Sequence, residues 1–120
     1  MIRINKKDKL LIENHAIAFA TVDSLKKPNV IGVAYVKVVA SNKVLITDNF
    51  MKHTRQNLQK NNNVCLAVWD KSWHGIKLVG KAKYYINGPW KKYVETMPEN
   101  KGLSAKGAIV VTINKLLKLA

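Results

Sequence analysis

The sequence predicts one mainly β domain with short helices, in which six antiparallel strands close into a barrel. A chain of 120 residues with 48% hydrophobic content suits a single domain, residues 1–120, built around one core. Runs of β-branched and aromatic residues recur along it, and their connections are too short for parallel crossovers. The sequence lacks both a regular alternation of strands with long helices and a Gly-x-Gly-x-x-Gly segment, which argues against a Rossmann sheet. Closure into a barrel would remove exposed strand edges.

The first expected element is a short amphipathic helix over residues 5–14. Asn5 is its cap, and Leu10 and Leu11 face the core. Glu13 interrupts the apolar run that an export signal would need. No stretch approaches the roughly 20 apolar residues of a membrane span. The protein is therefore expected to be cytoplasmic.

Three strands follow this helix and are expected to form an antiparallel meander. The turn-forming segment 23–28 and the pair Ser41-Asn42 are short connections, which only antiparallel neighbours allow. These strands are placed at residues 17–22, 29–40 and 43–47.

The second half of the chain is expected to add three strands and two helices. The three asparagines at 61–63 end the first of these helices, since asparagine tolerates the conformation found at helix C-termini. The strand after the next loop alternates apolar and polar residues, as in a sheet with one wet face. The strands are placed at residues 64–69, 75–86 and 107–114, the helices at 52–60 and 89–97, and a tail at 115–120.

The junction at residues 44–58 is the most informative segment of the chain. An apolar strand runs into a polar turn and then into a helix whose first turn carries Lys52, His53, Thr54 and Arg55. Helix N-termini hold free backbone N–H groups and the positive end of the helix dipole. Two cations and a hydroxyl at that position indicate a phosphate cradle. The alternative is an ordinary connection whose exposed face is basic.

The formal net charge of +14 has two explanations. A solvated lysine coat is favoured, because only Arg3 and Arg55 among the 21 basic residues are arginine, the residue that grips phosphates and bases bidentately. The rival is a basic β-barrel that binds nucleic acid. Its surface would be formed by the basic residues and the tyrosine of one strand, Lys77, Lys81, Lys83 and Tyr85.

No pattern in the sequence indicates a metal site or a catalytic group. The three histidines lack ligand spacing, and Cys65 has no cysteine partner. A nucleophile motif and a pair of carboxylates are both missing, so a cofactor would carry the chemistry of any enzyme built on this chain. Trp73 lies in a polar loop and is either a ligand or subunit contact or packs on its own barrel.

Several short motifs, in their order and spacing, resemble the FMN-binding split-barrel proteins of the pyridoxamine 5'-phosphate oxidase superfamily. The similarity is greatest to the short flavin-binding members and extends from Ala18 to Leu117. The motifs are residues 20–23 with 28–30, 45–51, Thr54 with 57–58 and Asn61, 64–70 and 75–82.

This resemblance implies a six-stranded split barrel that binds FMN as a homodimer, with each site at the subunit interface. Along the flavin ring it places Gly32 and Val33 on one strand. The end of another strand, with Ile46, Thr47, Asp48 and Asn49, would lie along the ring largely through backbone groups. The resemblance places Lys52, His53 and Thr54 at the phosphate. The loop around Trp73 and the segment 115–120 would be cross-subunit contacts.

The chain also departs from the family. His53-Thr54 stands where the short members usually read Lys-Thr, and the C-terminal Arg/His substrate motif of the oxidase has no counterpart before Ala120. Oxidation of pyridoxamine phosphate is therefore not expected. The resemblance implies a flavin-dependent oxidoreductase or electron carrier with an unknown redox partner. A deazaflavin or heme in place of FMN stays open.

Overall fold

One antiparallel sheet forms the framework of the protein. The computed structural model describes residues 2–119. In chain order the elements are α1 (Lys6–Glu13), β1 (Ile17–Val22), β2 (Pro28–Val33), β3 (Val36–Ala40), β4 (Lys43–Asp48), α2 (His53–Lys60), β5 (Asn63–Trp69), β6 (Gly75–Tyr85), α3 (Gly88–Thr96), a 3-10 helix (Pro98–Asn100) and β7 (Gly107–Lys118).

The sheet has seven strands in the order β2-β1-β5-β6-β7-β4-β3, and each neighbouring pair is antiparallel. Strands β2 and β3 lie at opposite edges of the sheet, although only Ala34 and Tyr35 separate them in sequence. The sheet must therefore curl until its two edges meet at these residues. The prediction of a mainly β split barrel is confirmed, with seven strands instead of six.

The predicted three-strand meander is wrong. The segment 29–40, expected as a single strand, is divided between β2, which pairs with β1, and β3, which pairs with β4. A run of β-branched residues predicts an extended backbone, but it carries no information on which strand that backbone pairs with. The break at Ala34 and Tyr35 is set by the curl of the whole sheet.

Each face of the sheet carries a hydrophobic cluster. One face holds the main core, in which Phe19, Ile46, Leu66 and Leu78 are all fully buried. On the other face α3 packs over a smaller cluster that contains Leu45. Successive strand residues point to opposite faces, so β4 contributes to both clusters. Within residues 2–119 no helix is long and apolar enough to cross a membrane.

Helix α1 begins as predicted, because the side chain of Asn5 accepts a hydrogen bond of 2.8 Å from the backbone N–H of Asp8. The predicted inward face is partly wrong. Ile12 is fully buried, whereas Leu10 is 57% exposed. Glu13 accepts from the backbone N–H of Val38 at 2.9 Å, so the end of the helix is fixed to β3.

The last strand is longer than expected. The predicted tail continues β7 as far as Lys118 and pairs with the start of β6. A register shift at Gly80 makes this possible, and a Cβ atom there would lie 2.2 Å from the carbonyl oxygen of Thr112. Residues 115–118 therefore belong to the sheet of their own chain, while Ala120 lies outside the described residues.

Candidate ligand site

The turn between β4 and α2 is held by the buried carboxylate of Asp48. Its Oδ1 accepts a hydrogen bond of 2.8 Å from the backbone N–H of Met51. Helix α2 then begins after Lys52, whose side chain makes no capping hydrogen bond, and no acidic residue lies in its first turn. The free N–H groups at this helix start have no side-chain cap and no compensating negative charge.

Tyr84 on β6 supports the same turn from the interior of the protein. Its phenol donates a hydrogen bond to Oδ2 of Asp48. Burial, followed by this hydrogen bond and the charge of Asp48, raises the pKa of Tyr84 well above its ordinary value. A Cβ atom on Gly107 would lie 2.4 Å from the tyrosine ring, so a larger residue there would displace the ring. No local pattern in the sequence signals this contact, because it joins positions 36 apart in the chain.

Two hydrogen bonds fix α2 against the sheet. The side-chain amide of Asn29 on β2 donates to Oγ1 of Thr54 at 3.2 Å, and that of Asn57 donates to Oγ1 of Thr21 at 3.0 Å. Thr54 is 1% exposed and Thr21 is 2% exposed. The start of α2 is therefore held in place relative to β1 and β2.

A cavity of about 560 Å³ lies between β2, the turn after β4 and the 3-10 helix. Seven of the nine residues assigned to a flavin site line this one cavity. They are Gly32, Val33, Thr47, Asn49, Lys52, His53 and Thr54.

Ile46 and Asp48 do not line the cavity, and both are 0% exposed. Side chains alternate along a strand, so Ile46 and Asp48 point into the interior while Thr47 and Asn49 reach the cavity. Asp48 acts on the cavity wall through Met51, while Tyr84 binds the other oxygen of its carboxylate.

The backbone beside the cavity is partly free of strand pairing. β4 pairs with β7 from Lys43 to Asp48, but its register with β3 ends where Ile46 faces Val36. Thr47 therefore follows the last residue of β4 that pairs with β3. Asn49 and the turn after it lie beyond the pairing of β4 with either neighbour.

The sequence did not reveal the third wall of the cavity. Met97, Glu99, Asn100 and Leu103 lie at or beyond the end of the helix expected at residues 89–97, where no site residue was predicted. The side chain of Asn49 donates to Oδ1 of Asn100 at 2.7 Å. The other two amide atoms, Oδ1 of Asn49 and Nδ2 of Asn100, are buried and have no hydrogen-bond partner among residues 2–119. No local pattern signals such a pair, since its members are 51 positions apart.

Trp73 lies away from this cavity. Its backbone has a positive φ of 65°, and its ring stacks on Trp69 with centroids 6.0 Å apart and planes 8° apart. The loop therefore folds back onto its own strand, yet Trp73 remains 70% exposed. His74 is in the same loop, and its backbone N–H donates to Asp70 at 3.0 Å.

The strand considered for nucleic acid does not present a free aromatic face. Lys81 and Lys83 are exposed on β6, but Nζ of Lys83 lies 5.4 Å from the ring centroid of Tyr85. A base would have to displace this lysine in order to stack there. The residues that the structure describes hold no cluster of three or more His, Cys, Asp or Glu side chains suited to a metal ion.

Known proteins resemble this chain in sequence and in structure. An uncharacterized protein of Methanocaldococcus jannaschii is 29% identical over 123 aligned positions, which cover 99% of this chain and 83% of that protein. Among solved structures, HupZ of Group A Streptococcus has a TM-score of 0.90 at 21% identity, covering 97% of this chain and 94% of its own.

Two further structures share the fold. An FMN-binding protein of Syntrophomonas wolfei has a TM-score of 0.79 at 20% identity, covering 93% of this chain and 83% of its own. HutZ, described as the heme storage protein of Vibrio cholerae, has a TM-score of 0.71 at 17% identity, covering 98% of this chain and 96% of its own. At the level of sequence, the family model described as pyridoxamine 5'-phosphate oxidase matches residues 5–119. Because that match spans nearly the whole chain, this protein belongs to the pyridoxamine 5'-phosphate oxidase family.

Proposed function

We propose that this protein binds FMN non-covalently in the 560 Å³ cavity and serves as a flavin-dependent oxidoreductase or electron carrier. One observation carries the proposal. Residues from β2, the end of β4 and the start of α2 converge on a single cavity that combines apolar walls with an uncapped helix N-terminus. An FMN-binding protein of Syntrophomonas wolfei has the same fold, which supports this ligand.

The phosphate would be held at the start of α2. Lys52 and His53 are exposed there, so their charged ends can reach an anion beside the free helix N–H groups. The Thr54 hydroxyl accepts from Asn29 and keeps its own proton to donate. Each charge-assisted hydrogen bond of this kind contributes roughly 1.5–3 kcal/mol.

The ring would lie deeper in the cavity. Ile31, Val33, Met51 and Met97 supply apolar surface, and the volume falls within the range of about 300–1,000 Å³ typical of small-molecule sites. Oδ1 of Asn49 and Nδ2 of Asn100 supply one unpaired acceptor and one unpaired donor. The flat ring of a flavin, whose polar edge carries both donors and acceptors, suits this donor set.

FMN supplies one- and two-electron transfer when bound. The residues of this chain would bind and orient it, while backbone N–H groups around Thr47 and Asn49 would favour negative charge on the ring. The net charge of +14 favours an anionic cofactor and anionic partners in the same way. No side chain is assigned as a proton donor.

We also propose that a second copy of the chain completes each site. Phe50 is 78% exposed and Leu103 is 46% exposed, and both line the cavity mouth. Val30 on β2 is 64% exposed. Apolar side chains of this size beside an open cavity support coverage by a partner subunit. Sedimentation analysis should give a dimer, and a monomer at micromolar concentration would contradict this part of the proposal.

The decisive experiment compares FMN with riboflavin, which has the same ring but no phosphate. The double variant Lys52→Gln/Thr54→Val should weaken FMN binding by about 100-fold, the loss expected from two charge-assisted contacts. Riboflavin binding should stay the same. Equal losses for both ligands, or an unchanged FMN affinity, would show that the phosphate lies elsewhere.

Mass analysis of whatever ligand co-purifies with the wild-type protein provides the control. Heme or a deazaflavin in place of FMN would redirect the assignment to that ligand. Colourless protein that takes up no FMN, yet binds oligonucleotides with a steep salt dependence, would support the nucleic-acid alternative.

A further inference from the structure

A second hollow adjoins the cavity on the outer side of the turn after β4. It is more open, with a volume of about 530 Å³, and it shares Phe50, Met51 and Lys52 with the first cavity. Arg55, Gln56 and Gln59 on α2 and the side chain of Lys106 complete its lining. The two spaces therefore meet at Lys52, beside the proposed phosphate position.

The hollow carries positive charge without a matching negative charge. Lys52, Arg55 and Lys106 line it, and no acidic residue does. The ion pairs found in the described part of the chain, Lys91 with Glu95 and His74 with Asp70, lie elsewhere. Three cations around one hollow repel each other, and a bound oxyanion would relieve that repulsion.

Arg55 is held ready for such an anion. It is half-buried, and its guanidinium carbon lies 5.3 Å from the ring centroid of Tyr84, which is itself tied to Asp48. A planar guanidinium can pair bidentately with a phosphate or carboxylate, and stacking on an aromatic ring fixes its orientation. Lys106 is anchored on the opposite side by the 2.7 Å hydrogen bond from its backbone N–H to the carbonyl oxygen of Asp48.

We propose that this hollow is a second oxyanion site, with Arg55 as its principal ligand and Lys106 as the second cation. It would take a further phosphate or a carboxylate of a small anionic molecule. Its position next to a cofactor phosphate rests on the proposed function, whereas its ability to bind an oxyanion does not. The anion belongs either to an extension of the cofactor beyond its first phosphate or to a separate anionic reactant.

Inorganic pyrophosphate is the first probe, titrated at low salt and followed by calorimetry. Arg55→Gln should weaken binding by about tenfold, the loss of one charge-assisted bidentate contact, and Lys106→Gln should act in the same direction. Arg55→Lys keeps the charge and should lose part of the affinity. Lys92→Gln on α3 removes the same charge at an exposed position away from the hollow and is the matched control.

Three results would overturn the proposal. Equal losses in Arg55→Gln and Lys92→Gln would mean that the probe responds only to net charge. A larger loss in His53→Gln than in Arg55→Gln would place pyrophosphate in the first cavity. Failure of the wild-type protein to bind pyrophosphate would exclude the site directly. Thermal unfolding of each variant checks that Arg55→Gln leaves the protein folded.

A second comparison identifies the source of the anion. FAD extends FMN by a second phosphate and an adenosine, so the ratio of FAD to FMN affinity reports on this hollow. A lower ratio in Arg55→Gln than in the wild type would assign the site to the cofactor. An unchanged ratio together with lost pyrophosphate binding would assign it to a separate reactant. If no flavin binds, the proposed function fails, while the pyrophosphate titration still decides whether the oxyanion site exists.

Discussion

The phenol of Tyr84 donates a hydrogen bond to the fully buried carboxylate of Asp48, 36 positions earlier in the chain. Through the other oxygen of that carboxylate, which accepts from the N–H of Met51, β6 is connected to the turn that carries the candidate ligand residues. Neither residue of this pair lines the cavity. The conformation of the turn therefore depends on a hydrogen bond between two residues that lie outside the cavity lining.

Replacing Tyr84 with phenylalanine should destabilise the protein by about 1–3 kcal/mol, because a buried charged acceptor loses its donor. The variant should also bind FMN more weakly, since the turn is less firmly held. Urea unfolding and FMN titration measure the two effects. Tyr85→Phe is the matched control on the opposite face of β6. It should change the stability and the FMN affinity by much less. Equal effects of the two variants would mean that the Asp48 contact has no special role.

Stability should fall at alkaline pH because of the same tyrosine. Its pKa is raised in the folded state, first by burial and then by Asp48, while the unfolded chain titrates near the ordinary value of 10.0. The unfolded state therefore releases this proton first, and the contribution of Tyr84 is complete below about pH 10 and is lost as the pH rises above it. Urea unfolding at about pH 8 and about pH 11 should show a larger loss in the wild type than in Tyr84→Phe. Equal losses of stability in the wild type and in Tyr84→Phe would show that Tyr84 is not the cause.

Gly107→Ala should destabilise the protein by about 1–3 kcal/mol, because the new methyl group would overlap the Tyr84 ring. Gly32→Ala is the matched control, since a Cβ atom there has no heavy atom within 4 Å. In a double-mutant cycle, Tyr84→Leu should remove much of the cost of Gly107→Ala. Additive losses would show that the strain lies elsewhere.

The Asn49 and Asn100 side chains should matter more for binding than for folding. The double variant Asn49→Leu/Asn100→Leu removes a hydrogen bond together with two unpaired buried atoms, so its stability should stay within about 1 kcal/mol of the wild type. FMN affinity should fall by about tenfold if the ligand pairs with those two atoms. Unfolding and binding measurements on the same samples separate the effects. Unchanged affinity would exclude the pair from the ligand contacts.

Cys65 should react slowly with iodoacetamide at neutral pH. Burial raises the pKa of its thiol, although Lys77 opposes this shift. The reactive thiolate is therefore scarcer than in free cysteine, and the rate should be lower than that of free cysteine. Urea should restore the rate of an exposed thiol. A native rate equal to that of free cysteine would contradict a packed position for this side chain.

The fold class and most elements of the site could be predicted from the sequence, because their signals are local. The Asn5 cap, the alternation in β6 and the cluster at Lys52–Thr54 each lie within a few consecutive residues. Those signals also fixed which segments are extended. The family resemblance assigned nine residues to the site, and seven of them line one cavity.

The parts that could not be predicted depend on long-range contacts. Nothing near Tyr84 indicates a carboxylate below the turn, and nothing near Asn100 indicates the amide of Asn49. The division of the segment 29–40 into two strands likewise follows from the curl of the whole sheet. The resemblance assigned Ile46 and Asp48 to the site largely through their backbone groups, and it did not indicate that their side chains are fully buried.

The connection at Ala34 and Tyr35 also has a consequence for folding. It joins two local hairpins, β1–β2 and β3–β4, whose inner strands β1 and β4 pair with β5 and β7 from later in the chain. Pairing between such distant segments is slow compared with the formation of a local hairpin. The cavity lies between β2 and the turn after β4, so it is complete only when both hairpins have joined one sheet. Binding competence should therefore appear later than the bulk of the secondary structure, and a ligand added early would stabilise only the final state.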